Sequence, residues 1–365
     1  GYVFYNIITS SDDTTASVSN KGTVKEVNYD VKTDTTSVVD KVSDSVVGVV
    51  VYQNTSNNIF GFNDSSSSSE SQSGSGSGVV YDQTGKYTYI IKNIYENDLI
   101  SSNSFDFDDL IIKATDVLNK PTKYKYIIVD EFQDTSNIRF NLINKIRDIS
   151  NATLFCVGDD YQSIYHFSGC NLNIFLNFTK LIPNSTILKL KYTYRNSEEL
   201  INISSKFVMK NKSQIKKELI SNKHIDKPVE FIYYINPKKS FNKIYKSLLN
   251  KGSLLVLGRN NFDINKFSDG NIPEFMSVHA SKGLESDNVI LINMTDDMYG
   301  FPNKIVNSKL IEELHPSDKT YIYAEERRLF YVALTRTKNK IYILVPLFKK
   351  SIFIKELRNL TKAIL

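Results

Sequence analysis

Tryptophan is missing from all 365 residues, cysteine occurs twice and methionine four times, and the chain does not open on methionine. The two cysteines, Cys156 and Cys170, cannot build a disulfide framework, and no Cys/His group has zinc-ligand spacing. That excludes the small stapled secreted folds and makes a reducing compartment the default for the second part of the chain, where both cysteines lie. No apolar stretch approaches the roughly 20 residues that span a bilayer. The opening GYVFYNII, without an initiator methionine, reads as the stump of a hydrophobic segment, and the chain as a fragment or a processed product. Also absent is any Gly-x-x-x-x-Gly-Lys-Ser/Thr run, the loop whose amides cradle nucleotide phosphates.

What is present is enough for two domains: hydrophobic residues make up 41% and aromatics 12%, with 22 Tyr and 21 Phe to fill cores. The net charge of +5 hides an uneven distribution. Residues 1–90 carry five Lys and no Arg against ten acids, whereas the remainder carries 40 basic and 30 acidic residues. A polyanionic partner would therefore be met by the second part of the chain.

Composition changes near residue 91. The first part is rich in Ser, Thr, Val and Asp, and its run DSSSSSESQSGSGSG at 64–78 has too little apolar surface to order itself. The runs SVVGVVVY at 45–52, and GVVYD and YTYII on either side of a TGK turn at 84–86, predict β-structure, the last two as a hairpin. From Lys92 onward Ile, Leu, Asn and Lys dominate, and strand-like runs alternate with amphipathic helix patterns, which predicts a parallel α/β architecture. Strands are predicted at 125–130, 153–158, 187–193, 253–258, 288–294 and 340–345. Helices are predicted at 197–211 with Ser197 as N-cap, at 238–250 closed by Gly252, at 324–338 and at 351–360.

The strand YIIVDEFQDTS stops in Asp130 and Glu131. In open α/β sheets ligands sit beyond the carboxyl ends of strands, where one acid can hold Mg²⁺ and its neighbour can deprotonate a water. An acid pair closing a turn is the bland alternative. The next strand continues into GDDYQSIYHF, where Gln162 can sense a terminal phosphate and Tyr165 and Phe167 can stack on unpaired bases or fill a core. Further on stand Arg195 before a capped helix, a turn at Gly283 followed by Glu285, and Arg336. Leu329, Val332, Ala333 and Arg336 fall at i, i+3, i+4 and i+7, so the arginine extends from an apolar stripe. A guanidinium there needs an anion, either a buried carboxylate or a nucleotide phosphate.

The segments VDEFQDTS, VGDDYQSIYHFSG, YTYRNS, VHASKGLE and EERRLFYVALTRTK follow one another in the order of motifs II to VI of the UvrD/Rep superfamily of DNA helicases, which this chain resembles from about residue 92. The GFP at 300–302 resembles the helicase IV branch, and FDFDDLI at 105–111 also fits. The resemblance implies RecA-like P-loop NTPase lobes, with ATP and Mg²⁺ as cofactors and single-stranded or partly duplex DNA as partner, traversed 3′ to 5′. It would make Asp130 the Mg²⁺ ligand, Glu131 the base, Gln162 the γ-phosphate sensor, and Arg195 and Arg336 the γ-phosphate arginines. Tyr194 would stack near the adenine, with Gly283 and Glu285 beside the nucleotide and Glu285 at its ribose. Tyr165 and Phe167 would line the DNA path, and His279 would approach a DNA phosphate. His166, Ser168 and Ser286 depart from the family's common choices. Only about 20 residues separate LLVLGRN from VHASKG, where many relatives insert an accessory domain.

The nearest candidate for the missing loop, GVVYDQTGKYT from Gly78, has six residues between its glycines and Tyr87 where Ser or Thr would reach Mg²⁺. SVVGVVVY, the Ser/Gly run and GSGVVYDQTGKYTYII resemble instead the start of a trypsin-like serine protease of the high-temperature-requirement family, an extracytoplasmic or membrane-anchored class. Tyr95 stands near where that family has its catalytic His, and no GxSGG motif follows. These resemblances lead to three expected parts: a truncated β-rich protease-like segment at 1–91, the rest of a truncated first RecA-like lobe at 92–185, and a complete second lobe at 186–365. They also leave two expectations for activity, a cytoplasmic helicase motor or a chimeric remnant that binds DNA or nucleotide without turnover.

Overall fold

Short apolar runs, each followed by an amphipathic segment, fold as parallel βα units in the way their alternation predicts. The computed structural model describes residues 46–48, 78–80, 86–305 and 321–364. It divides into two units, Gly1–Phe107 and Asp108–Leu365.

In the first unit β1 (Val46–Gly48) and β2 (Gly78–Val80) pair antiparallel, with Val46 opposite Val80. The predicted hairpin of GVVYD with YTYII does not form, because residues 86–91 belong to the helix α1 (Lys86–Ser101). Ile91, Ile94, Tyr95 and Leu99 fall at i, i+3, i+4 and i+8, and this longer helical period wins over the local β-branched run. One helix thus runs through residues 91 and 92, where composition suggested a join. The low-complexity run at 64–78 lies outside the described residues, apart from Gly78.

The second unit contains two sheets. The smaller, β3 (Tyr126–Val129) and β4 (Thr153–Cys156), is parallel with Ile128 opposite Phe155. Helix α3 (Asn137–Ser150) connects them; Ser136 caps it by accepting the Arg139 N–H at 3.3 Å, and Asn151 ends it in the left-handed conformation. Among the described residues this sheet has two strands, and Tyr126, Ile128 and Phe155 on it are exposed at 68%, 73% and 54%. The predicted strand at 187–193 is not one: only Tyr192 forms a bridge, to Ile220, and Leu188 and Leu190 are exposed. Alternation alone makes no strand when no neighbouring backbone is in register. Missed in the sequence were α3, α2 (Phe107–Val117), the short α4 (Leu172–Leu176) and α5 (Phe178–Leu181).

The larger sheet has five strands, β5 (Val229–Tyr234), β6 (Leu254–Gly258), β7 (Phe275–Ser277), β8 (Ser286–Leu291) and β9 (Thr337–Pro346), in the order β5-β9-β8-β6-β7. Every adjacent pair is parallel. Both faces are covered, which is why its strands read as continuous apolar runs. Leu255, Leu257, Val289, Leu291, Ile341 and Ile343 point to one face, with Leu200, Phe207, Phe330 and Phe353 from α6 (Glu198–Val208), α8 (Ala324–Leu334) and α9 (Ile352–Ile364). Val256, Ile290 and Leu344 point to the other, under Phe241 and Leu248 of α7 (Pro237–Leu248). Ser197 caps α6 as predicted, accepting the Leu200 N–H. The helix predicted at 324–338 stops at Leu334, so Arg336 stands in the turn before β9 rather than on a helical stripe.

On the α6/α9 side a buried ion pair joins the helices. Arg327 donates to both oxygens of Glu356 at 2.8 and 2.7 Å, lies over the rings of Phe207 and Phe353, and is 1% exposed. Burial pushes the Glu356 carboxyl up, but hydrogen bonds from Arg327 and Lys210 outweigh it and hold the pKa below its usual value. Arg327→Met is expected to lower unfolding free energy by about 3 kcal/mol, the low end for breaking a buried pair, since Lys210 still meets Glu356. Urea denaturation of the two proteins measures it, and an unchanged midpoint would show that the pair contributes nothing net.

Candidate active site

The carboxylates Asp130 and Glu131 are placed by the residue after them. Phe132 is buried among Phe140, Ile174 and Phe178, and its N–H donates to Val157 O at 2.8 Å, which ties the end of β3 to the end of β4. Glu131 takes a left-handed conformation, φ 48°, to start the 3-10 turn Phe132–Asp134, and its N–H donates to Asp130 Oδ1 at 2.8 Å. Both acids stay exposed beyond the strand. Behind them the buried Gln133 amide donates to Glu131 Oε2, and its Oε1 accepts the Asp159 N–H at 2.9 Å. A side chain at Gly158 would collide with that Oε1, so glycine is required for the approach.

The second strand delivers Gln162. Tyr161 and Ile164 are fully buried and fix the turn after Gly158. Asp159 caps it by accepting the Tyr161 N–H at 3.0 Å, and its Oδ2 accepts from Gln162 Nε2 at 2.8 Å. The other end of that amide, Oε1, accepts from Arg336 Nη2 at 3.3 Å.

Arg336 is 1% exposed, and every acceptor around it is neutral: Val332 O at 3.0 Å, Leu284 O at 3.2 Å, Thr335 Oγ1 at 3.3 Å and Gln162 Oε1. Among the described residues no carboxylate pairs with it. Burial, helped by the charge of Arg195, lowers its pKa to about 10. Gln162, Tyr194, Arg195, Glu285 and Arg336 line one cavity of about 430 Å³, together with Asp159 and Tyr331. At its rim Glu285 pairs with Arg195 at 2.7 Å and with Lys338 at 2.9 Å, and these two cations, Lys338 first, bring its pKa down to about 2. Tyr194 is almost fully exposed. Gly283, at φ +82°, makes the turn that leads to Glu285.

Asp130, Glu131, Gly283, Tyr165, Phe167 and His279 do not line that cavity. The last three form a cluster of their own: Phe167 lies 6.1 Å from Tyr165 and 5.6 Å from His279, centroid to centroid, and Tyr165 Oη donates to His279 O at 3.1 Å. Phe167 presents 64% of its surface to solvent. Burial, and then Arg259, depress the His279 pKa to about 3, so the ring is neutral at physiological pH.

The profile of the UvrD/REP helicase N-terminal domain matches residues 9–183, that of the UvrD-like helicase C-terminal domain residues 260–346, and that of the viral superfamily 1 RNA helicase core domain residues 110–299. The chain belongs to the UvrD/Rep family of superfamily 1 helicases. DNA helicase IV of Escherichia coli (strain K12) is 32% identical over 279 residues, 73% of this chain and 41% of that protein. A probable DNA helicase of Mycoplasma pneumoniae is 32% identical over 283 residues, 68% of this chain and 50% of its own. This chain therefore spans half the length of these curated relatives or less. The solved PRRSV helicase aligns over 61% of this chain and 35% of its own at 15% identity, with a TM-score of 0.33 that carries no weight.

The match to the first UvrD/Rep domain begins at residue 9, upstream of the suggested join, and the expected protease-like segment and chimera gain no support. Near the candidate loop β2 ends at Val80 and α1 starts at Lys86. The spacing and Tyr87 still depart from a phosphate loop. Among the described residues no helix is long and apolar enough to cross a membrane.

One residue in contact with these candidate groups escaped the sequence reading. Lys282, largely buried, pairs with Asp134, donates to Gln162 O at 2.9 Å, lies 3.5 Å from Glu131 Oε2 and sits over the Tyr165 ring. It connects the acid pair, the glutamine and the aromatic cluster; its place in ASKGLE beside Gly283 was the available signal.

The neutral His279 has a consequence for acid stability. Unfolded, it takes a proton near pH 6.5, whereas folded it does so only near pH 3. Its contribution is thus present above pH 6.5 and lost as pH falls from there toward 3. His279→Asn is expected to lose less stability than the unmodified chain between pH 6.5 and 4.5 in thermal melts. Parallel pH profiles would rule out a buried neutral ring.

Proposed function

We propose that this chain is the nucleotide-hydrolysing part of an ATP-dependent DNA helicase that moves 3′ to 5′ along single-stranded DNA. The observation that carries the reading is Arg336, a buried guanidinium with no carboxylate partner among the described residues, opening with Gln162 and Arg195 onto one cavity. Such a site favours a compact polyanion, and a terminal phosphate would supply the missing negative charge.

Asp130 and Glu131 fit an Mg²⁺ site: both are exposed hard-oxygen donors at the end of a parallel strand, and among the described residues no third acid or His converges on them. Mg²⁺ usually takes one or two carboxylates and completes its shell with water and phosphate oxygens. When bound it neutralises charge on the phosphate oxygens. In this reading Asp130 holds the ion and Glu131, oriented by Gln133, accepts a proton from the attacking water. Gln162 and Arg336 meet the γ-phosphate, Arg195 exchanges Glu285 for phosphate, and Glu285 then turns to the ribose. Tyr194 stacks near the adenine. Tyr165 and the exposed Phe167 meet the DNA bases, and His279, being neutral, meets a DNA phosphate as a hydrogen-bond donor rather than as a charge.

A second reading has one specific support, the absence of a Gly-x-x-x-x-Gly-Lys-Ser/Thr run from the 365 residues. It holds that this chain by itself binds nucleotide and DNA without turnover. Steady-state ATP hydrolysis with and without single-stranded DNA, beside Glu131→Gln, separates the two. DNA-stimulated turnover that the substitution abolishes is the expected result for the motor. Folded protein that binds nucleotide but turns over no faster than Glu131→Gln belongs to the second reading. Binding of neither nucleotide nor DNA would overturn both.

For the DNA path, Phe167→Ala is expected to weaken binding of a fluorescent oligo(dT) by about tenfold, the loss of one base stack. Nucleotide affinity should not move, and equal oligonucleotide affinity in the two proteins would remove Phe167 from the path.

A further inference from the structure

Asp159 and Asp160 stand side by side, and Asp160 is completely buried. Adjacent carboxylates in such surroundings repel and require a cation. Lys217 supplies it: its ammonium pairs with Asp159 and with Asp160, the latter at 2.5 Å, and lies 3.8 Å from the centre of the Tyr161 ring. The same stretch of chain grips Asp160 from the other side, where Gln214 Nε2 and the Ile215 N–H donate to Oδ2 at 2.7 and 2.8 Å.

The second oxygen of Asp159 has a separate task. It accepts from Gln162 Nε2, and this forces the opposite end of the amide, Oε1, toward Arg336. A glutamine amide is nearly symmetric in shape, so only its partners decide which end faces the cavity. The contacts form one chain, Lys217 to Asp159 to Gln162 to Arg336. Without the ammonium, repulsion from Asp160 would swing Asp159 away and leave the Gln162 amide free to turn.

We infer that Lys217 is a positioning residue for phosphate recognition: through Asp159 it fixes the orientation of Gln162 and thereby sets the preference for nucleoside triphosphate over diphosphate. The inference rests on the proposed ATP site. Lys217 touches neither Arg336 nor the cavity's other arginine, and it does not line that cavity. A residue acting in this way should alter discrimination between nucleotides more than nucleotide binding as a whole.

The test is titration of the full chain, in Mg²⁺, with fluorescent ADP and a fluorescent non-hydrolysable ATP analogue, for the unmodified protein, Lys217→Met, Lys217→Arg and Asp159→Asn. Lys217→Met is expected to lower the triphosphate-to-diphosphate affinity ratio by about tenfold, the scale of one charge-assisted hydrogen bond, with ADP affinity unchanged. Lys217→Arg should restore most of the ratio, because it keeps the charge. Asp159→Asn should reproduce the loss while leaving Lys217 paired with Asp160, and it decides the matter if Lys217→Met does not fold. A ratio equal to that of the unmodified protein in the folded variants would overturn the role of Lys217 and leave the ATP site standing. An unmodified chain that binds neither nucleotide, or binds both equally, would overturn the ATP-site reading and this inference with it.

Discussion

A guanidinium buried with no carboxylate partner among the described residues is the constraint on which the rest of the site depends. Taking such a group out of water costs several kcal/mol, and neutral acceptors recover only part of it. The fold therefore brings three separate carbonyl or hydroxyl oxygens and one side-chain amide to Arg336. Helix α8 must end at Leu334 to free its last carbonyls, β9 must begin at Thr337, and the turn at Gly283 must present Leu284 O. What these contacts leave undone is neutralisation, and under the proposed function a bound polyanion would supply it.

Around this buried cation the other charges are graded by exposure. Arg195, Glu285 and Lys338 lie at the rim, where solvent screens them and partners exchange at small cost. Deeper in, Lys282 and Lys217 are each held by two carboxylates, Glu131 with Asp134 and Asp159 with Asp160. Each lysine anchors one strand end, the first behind the acid pair and the second behind the glutamine. The rim is built to rearrange and the interior to stay in place, the division a site needs if a ligand is to enter without the catalytic groups drifting.

The sequence of this chain pointed to candidate reacting groups more readily than to element boundaries. Asp130, Glu131, Gln162, Arg195, Glu285 and Arg336 could be picked out as candidates because each stands in a short motif whose chemistry is local: an acid pair ending a strand, a glutamine after a tight turn, an arginine before a capped helix; the structure sets the last four around one cavity. The parallel α/β class followed from alternating periods, and Ser197 from cap chemistry. Tertiary structure decided the remainder. YTYII became helix because the period of the residues after it outweighed five β-favouring side chains. The run at 187–193 forms a single bridge, at Tyr192, because a strand extends only where another backbone completes its hydrogen bonds. Arg336 left the helical stripe because its guanidinium needed carbonyls that only a helix end exposes. Lys217 was invisible as a site residue, since a lysine outside any motif declares nothing until folding sets carboxylates from distant segments around it, whereas Lys282 at least stood inside ASKGLE. Local motifs name the candidate reacting groups, whereas the charges that hold those groups in place come from segments that only the fold brings together.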